Sequence, residues 1–198
     1  MTLALGFDFE TTGKGNFQAK YSDPAQPEIV QAAYRLIELE TGKVFLSRCA
    51  MIKPEFYQEI PEEAQAIHGI DIESARKYGL PLNTVMKEFF RLYDVCDFYF
   101  CHNTGYDERL ARKTAMRMQR RIDWDKKKFC TMTKTTKLCG IKGPRGMKWP
   151  SLQELHMFLF GEGFEAAHDA LIDIIATEKC LLELYNKKHI DFSDFKVI

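Results

Sequence analysis

Long hydrophobic runs are missing from this chain of 198 residues. Its apolar stretches are short and broken by charge, and none reaches the ~20 residues that a membrane-spanning helix needs. The N-terminus, MTLALGFDFETTG, meets an acid before any signal-like stretch develops. An intracellular, cytoplasmic and soluble protein with no membrane partner is therefore expected. No C-x-x-C pair occurs among the six cysteines, Cys49, Cys96, Cys101, Cys130, Cys139 and Cys180, which speaks for reduced thiols and against a disulfide framework or a zinc site. Low-complexity tracts, fixed-period repeats and linkers are absent too, so one domain over residues 1–198 is expected. With 45% apolar and 28% charged residues, the chain has the make-up of a globular domain and not of a disordered one.

Net charge is the next absence, since 28 Lys and Arg face 28 Asp and Glu. The balance is uneven along the chain. Residues 109–148 hold 14 Lys and Arg against only Asp123 and Asp125, a net of +12, so the rest amounts to −12. A basic surface serving a polyanion is the functional reading, and a solvated helix face is the bland one. Arg112, Lys113, Arg117, Arg120, Arg121 and the run Lys126, Lys127 and Lys128 are the candidate phosphate contacts. Helical spacing aligns Arg109, Lys113, Arg117 and Arg120 in one stripe and leaves Arg112 and Arg121 off it. The loop lysines, Lys142, Arg145 and Lys148 have no direction fixed by sequence.

Periodicity divides the chain into strands followed by mixed elements. Leu3 to Phe9 has strand length, Glu28 to Leu39 alternates apolar with polar residues, and Val44 to Ile52 returns after a short turn, which predicts an antiparallel meander. A short helix is expected over Pro61 to Ile67, longer ones over Asn83 to Val95 and Tyr106 to Gln119, and strands at Phe98 to Cys101 and Phe129 to Met132. A capping box at Ser151 to Glu154 opens a helix through Phe160, and Ala170 to Tyr185 carries one apolar face. The class is α/β.

Within this pattern, a few polar residues sit where polar residues are costly. Asp8 and Glu10 are two apart at the end of an apolar strand, so both point to one face, with Phe7 and Phe9 on the reverse. A hard divalent cation with oxygen ligands, Mg²⁺ or Mn²⁺, would offset their repulsion; two solvated acids at a strand end is the alternative. Asp107 opens the helix after Phe98 to Cys101, at a strand end where ligands gather in open α/β sheets. Asp173 lies between Ile172 and Ile174 in the last helix. His168 stands among small residues just before that helix, and an imidazole, with an ordinary pKa of ~6.5, is the usual general base at neutral pH. His68, His102, His156 and His189 are read as structural.

Three segments taken together resemble the DnaQ-like exonuclease superfamily. Phe7-Asp8-Phe9-Glu10-Thr11-Thr12-Gly13 is similar to its first motif, His102-Asn103-Thr104-Gly105-Tyr106-Asp107 to its second and His168-Asp169-Ala170-Leu171-Ile172-Asp173 to its third. The histidine five residues before the last Asp marks the DEDDh subclass. Ile60 to Ile70 also resembles the segment that follows the third strand in these enzymes. The likeness covers about residues 5–179. Thr104 and Tyr106 depart from the more usual Ala and Phe, Cys130-Thr131 stands where Asp-Thr is common, and Lys14 to Pro27 is a longer link than usual.

The resemblance implies an RNase H-like fold: a five-stranded mixed sheet whose first three strands are antiparallel, with helices on both faces. It implies 3′→5′ release of nucleoside monophosphates with two divalent cations, Mg²⁺ or Mn²⁺. Asp8 would bridge both cations, Glu10 and Asp173 complete one site, Asp107 support the other, and His168 deprotonate the attacking water. Thr11, Thr12, chiefly through its backbone, and Asn103 would meet the substrate, while Phe9 is placed either to stack or to pack. The leading expectation is a DNA exonuclease of proofreading or repair type acting on 3′ ends, single-stranded by preference, with a polymerase or repair assembly as a partner. An exoribonuclease is the alternative, and an inactive nucleic-acid-binding scaffold is a third reading.

Overall fold

The computed structural model describes residues 1–191. The expectation that the tail after Tyr185 holds no polymerase-tether segment falls largely on residues 192–198, which lie outside the described residues. Strands β1 (Leu3–Thr11), β2 (Ile29–Glu38) and β3 (Val44–Met51) lead to helices α1 (Glu62–His68), α2 (Ile72–Tyr78) and α3 (Leu82–Val95). There follow β4 (Phe98–Cys101), α4 (Thr104–Arg117), β5 (Lys127–Cys130), the single turns α5 (Thr131–Lys134) and α6 (Thr136–Cys139), and the ribbon β6 (Lys142–Gly143) and β7 (Gly146–Met147). Helices α7 (Leu152–Phe160) and α8 (Ala170–Asn186) complete the described fold. Among the described residues, no helix is long and apolar enough to cross a membrane.

The five-stranded sheet has the order β3-β2-β1-β4-β5, antiparallel through the first three strands and parallel from β1 to β4 to β5. Alternation along β1 sends Leu5, Phe7 and Phe9 toward α3 and α4, where they meet Val85, Phe89, Phe90, Leu110 and Ala111. Ala4, on the other face, joins Phe98, Phe100 and Phe129 against Leu155, Ile174 and Leu181 of α7 and α8. Gly6 makes that second contact close, because a Cβ there would lie 2.4 Å from the Phe100 ring and 2.8 Å from Ile174 Cδ1. Arg35 of β2 adds a fork to Glu178 of α8, with Nε to Oε2 at 2.6 Å and Nη2 to Oε1 at 3.1 Å. Helix α8, which carries Asp173, is thereby fixed against the sheet.

Several expectations change, and the strand expected over Phe129 to Met132 ends at Cys130, where helix α5 takes over. The last sheet strand begins at Lys127 and not at Phe129, since parallel pairing with Phe98 and Tyr99 of β4 engages Lys127 and Lys128; those two lysines are strand residues, not loop residues. Like α5, α6 and the β6 and β7 ribbon, helix α2 is an addition to the expected elements. It is two turns long with Ala75 as its buried residue, so no apolar stripe marks it, and its start is set by the Asp71 carboxylate accepting the Ser74 N–H at 2.8 Å.

Candidate active site

β1 runs on past the part of it that β4 pairs, which covers Ala4 to Gly6. Beyond that point its backbone needs another partner, and Asp107 supplies one: its Oδ1 accepts the Phe9 N–H at 3.1 Å. Asp107 reaches this position because Asn103 turns the chain from β4 into α4 in the left-handed region, φ 75°, which Asn tolerates better than most residues. On the α8 side, His168 at φ 72° donates its backbone N–H to Asp173 Oδ2 at 3.0 Å. Asp169 caps α8 by accepting from the Leu171 and Ile172 N–H groups. Three elements thus deliver Asp8, Glu10, Asp107, His168 and Asp173 to the wall of one cleft of about 520 Å³, with Asn103 on its rim.

The electrostatics of this cleft are unfavourable as they stand. Burial first, then the charges of Asp107, Asp173, Glu10 and Asp169, hold the Asp8 carboxyl well above the usual carboxylate range. Burial raises Asp107 as well, against the lowering effect of the Phe9 N–H. Glu10 is pushed up to about 7 by burial and by Asp173 and Asp169. Asp173 is raised by burial despite the His168 N–H, and its Oδ1 is buried with no hydrogen-bond partner. Glu10, His168 and Asp173 each offer a ligand atom within 4.8 Å of the others. Oxygen-rich, crowded and anionic when ionised, the set fits a hard divalent cation, which would relieve the repulsion and give Asp173 Oδ1 its missing partner.

The remaining predicted contacts are placed very differently. Phe9 packs in the core, its ring 5.4 Å from Phe7 and 5.7 Å from Phe89, and it also lines the cleft. Thr11 Oγ1 donates to Gly13 O at 2.8 Å and lies 2.6 Å from Tyr106 Oη. Thr12 does not offer its backbone N–H to a ligand, because that group donates to Glu28 O at 3.0 Å. It does line a second cavity of about 320 Å³ beside the cleft, with Thr11, Ile67 and His68. His68, read as structural, accepts the Ile70 N–H at Nδ1, so its Nε2 carries the proton given to Thr11 O at 3.2 Å.

The basic tract is largely consumed inside the fold. Lys113 is 5% exposed, and its ammonium donates to Gln26 O, Pro27 O and Glu28 Oε1, which leaves no proton for a phosphate. Arg112 pairs with Glu108 and lies over the Trp124 ring, and Arg117 forks onto Glu28. Arg120 pairs with Asp94. Lys126 caps α3 through the carbonyls of Tyr93, Asp94 and Cys96. The expectation for Lys113 as a phosphate contact is corrected, since it is buried with its ammonium protons taken, whereas Arg112, Arg117, Arg120 and Lys126 are partly exposed and already hold partners inside the fold. Lys128, half exposed, shares Glu108. Cations of the tract that make no ion pair among the described residues include Lys127, Lys134, Lys137, Lys142 and Arg145, most of them on the α5 to β7 side.

An α/β sheet of RNase H-like order, with acids converging at the ends of its central strands, defines a nuclease-type scaffold. The chain belongs to the RNase T exonuclease family, whose model matches residues 5–181, within the DnaQ-like superfamily. Among curated proteins, none matches the sequence. Solved structures of like fold include Exonuclease I of E. coli in complex with a dT13 oligonucleotide (19% identity, TM-score 0.73, 93% of this chain and 41% of that one). A zinc-bound form of the E. coli enzyme's single-stranded DNA complex has 20% identity and TM-score 0.72 over 95% of this chain and 41% of that one. Exonuclease I of Methylocaldum szegediense has 21% identity and TM-score 0.70 over 96% and 41%. This chain spans about two-fifths of the length of those proteins.

Proposed function

We propose that this chain is a 3′→5′ exonuclease of the DEDDh subclass, of proofreading or repair type, which releases nucleoside monophosphates from single-stranded DNA with Mg²⁺ or Mn²⁺. The observation that carries the reading is the partnerless buried Oδ1 of Asp173 in a cleft that also holds Asp8, Glu10, Asp107 and His168. Asp8, Glu10 and Asp173 would hold the cations, and Asp107 would support the second through water. Held by these residues, two divalent cations would supply the activation of a water and the stabilisation of the leaving 3′ oxygen in an in-line displacement.

The chain's own groups supply the rest. His168 is exposed to the cleft and takes the proton of the attacking water on its imidazole, while its backbone N–H holds Asp173 in place. The cavity beside Thr12 and His68 receives the 3′-terminal nucleotide. Single-stranded DNA is chosen as substrate because Exonuclease I, of like fold, has been solved with dT13. Matched 5′-labelled and 3′-labelled DNA and RNA strands test all of this. A 3′→5′ ladder from DNA is expected, and a mononucleotide from the 5′ end, or cleavage of RNA alone, would overturn the direction or the substrate.

A further inference from the structure

A groove of about 670 Å³ opens off the candidate active site along the N-terminal end of α4 and over α5, and it meets the catalytic cleft at Phe17 and Asn103, which line both. Two large aromatic rings stand in its wall: Phe17 is 56% exposed and Trp149 60% exposed. Leaving two such rings in water is unfavourable, and here both stand in the wall of one groove.

The Phe17 ring and the backbone that carries Trp149 are both held in place. The Lys14 to Pro27 link, longer than usual for the family it resembles, is folded around the side chain of Gln26. The Gln26 amide donates to Asn16 O at 2.7 Å and Lys20 O at 3.2 Å, and its Oε1 accepts the Asn16 N–H at 3.1 Å. Arg109 ties the link to α4 through Asn16 O and Ala19 O, with its guanidinium 5.4 Å from the Phe17 ring centroid. The Tyr106 ring, 6.2 Å from Phe17, supports the other side. Trp149 lies between two anchors: Lys148 donates its N–H to Ile141 O at 2.8 Å, and Pro150 O accepts from His102 Nε2 at 3.1 Å. Charge points the same way, since Lys134 in the groove and Lys142 and Arg145 on the adjoining ribbon make no ion pair among the described residues.

From this we infer that Phe17 and Trp149 are stacking posts for bases of a single strand whose 3′ end lies in the catalytic cleft. The groove is the path of the nucleotides upstream of the one released. Every base has a π face, so rings presented this way bind single strands with little regard to sequence. Arg109 and Gln26 act through the link as positioning residues for Phe17. The inference rests on the exonuclease reading for where the 3′ end lies, whereas binding in the groove does not depend on hydrolysis.

The test separates the two. Trp124 is packed against Phe90 and Tyr93, so Trp149 is the tryptophan that can report stacking. In EDTA, oligothymidylate dT8 should quench the wild-type fluorescence, and the quench should vanish in Trp149→Phe. In Mg²⁺, the wild-type KM for dT8 should lie well below that for dT2, and Phe17→Ala or Trp149→Ala should each erode that advantage by on the order of tenfold, the range of one lost base stack. Phe17→Tyr should keep the advantage and Phe17→Leu should lose it, since Leu fills space without a π face. An unchanged dT8 to dT2 ratio in both alanine variants would overturn the groove while leaving the exonuclease standing. Quenching and tight binding of dT8 without hydrolysis would support the groove and overturn the exonuclease.

Discussion

At the scale of single residues, the cleft holds carboxylates in a state they would not choose in water. Asp8 is the most compromised, since every other acid of the cluster raises it. Asp8→Ala should lower hydrolysis by at least about a hundredfold, as expected when metal and general-base effects are lost together. In metal-free protein the same change should leave the Tm unchanged or higher, because it removes repulsion; a Tm that falls would mean that Asp8 is a structural group. His168 calls for a different substitution. Its φ of 72° is strained for most side chains, so His168→Asn, which suits the left-handed region, isolates the loss of the imidazole. It should depress kcat and leave the KM for dT8 near wild type, and loss of binding with kcat preserved at saturation would place the base elsewhere. These residues were the most legible part of the sequence, because an acid at the end of an apolar strand is conspicuous and two of them share a face. Asp107 and Asp173 were ambiguous one at a time. Only the fold shows that one caps the β1 backbone and that the other has a stranded oxygen.

At the scale of elements, the site depends on how closely α8 approaches the sheet. Gly6 permits that approach, and Gly6→Ala places a Cβ into Phe100 and Ile174. Overpacking of this kind costs about 1–3 kcal/mol, and Ile174 adjoins Asp173. A lowered Tm together with reduced activity is expected, and full activity would show that α8 has slack. Helix α4 taught the opposite lesson. Its stripe of Arg109, Lys113 and Arg117 was visible in the spacing, but sequence alone does not reveal whom a cation faces. The partner is Glu28, at the far end of the long link, with Lys113 and Arg117 each 2.7 Å away. The stripe fastens the link to the body of the fold. Lys113→Met should therefore destabilise the protein and leave the salt slope of DNA binding unchanged. The link could be flagged from its length only; its internal order rests on the side chain of Gln26, which no pattern announces. Strand ends and the short helices α2, α5 and α6 escaped for a related reason, since they bury too little to impose a period.

At the scale of the whole molecule, zero net charge conceals internal pairing. Much of the +12 of the central tract is answered by Glu28, Glu108, Asp94 and Glu154. What is left for a polyanion lies mostly on the α5 to β7 side. Replacing Lys134, Lys142 and Arg145 together with Ala should flatten the dependence of log K on log salt by about 0.7 for each true phosphate contact with a single strand. An unchanged slope would assign them to solvent.

Stability should also follow pH in a way set by the cleft. Glu10, raised from its ordinary 4.5 to about 7, and the other raised acids contribute stability that is present at low pH and lost as pH climbs through their folded values. The Tm of metal-free protein should accordingly fall between about pH 5 and pH 8, and Glu10→Gln should reduce the fall. A profile unaffected by that substitution would mean that other groups govern it.

The central claim is that one carboxylate cluster is destabilised until divalent cations occupy it and that hydrolysis occurs there. A Mg²⁺ titration of EDTA-treated protein at pH 8, read at once by Tm and by stepwise shortening of 5′-labelled dT8, tests this most directly. Both signals should rise over the same Mg²⁺ range in the wild type, and neither should rise in Asp8→Asn. Hydrolysis in EDTA, or an Asp8→Asn variant that still cuts with Mg²⁺ at wild-type rate, would contradict the account.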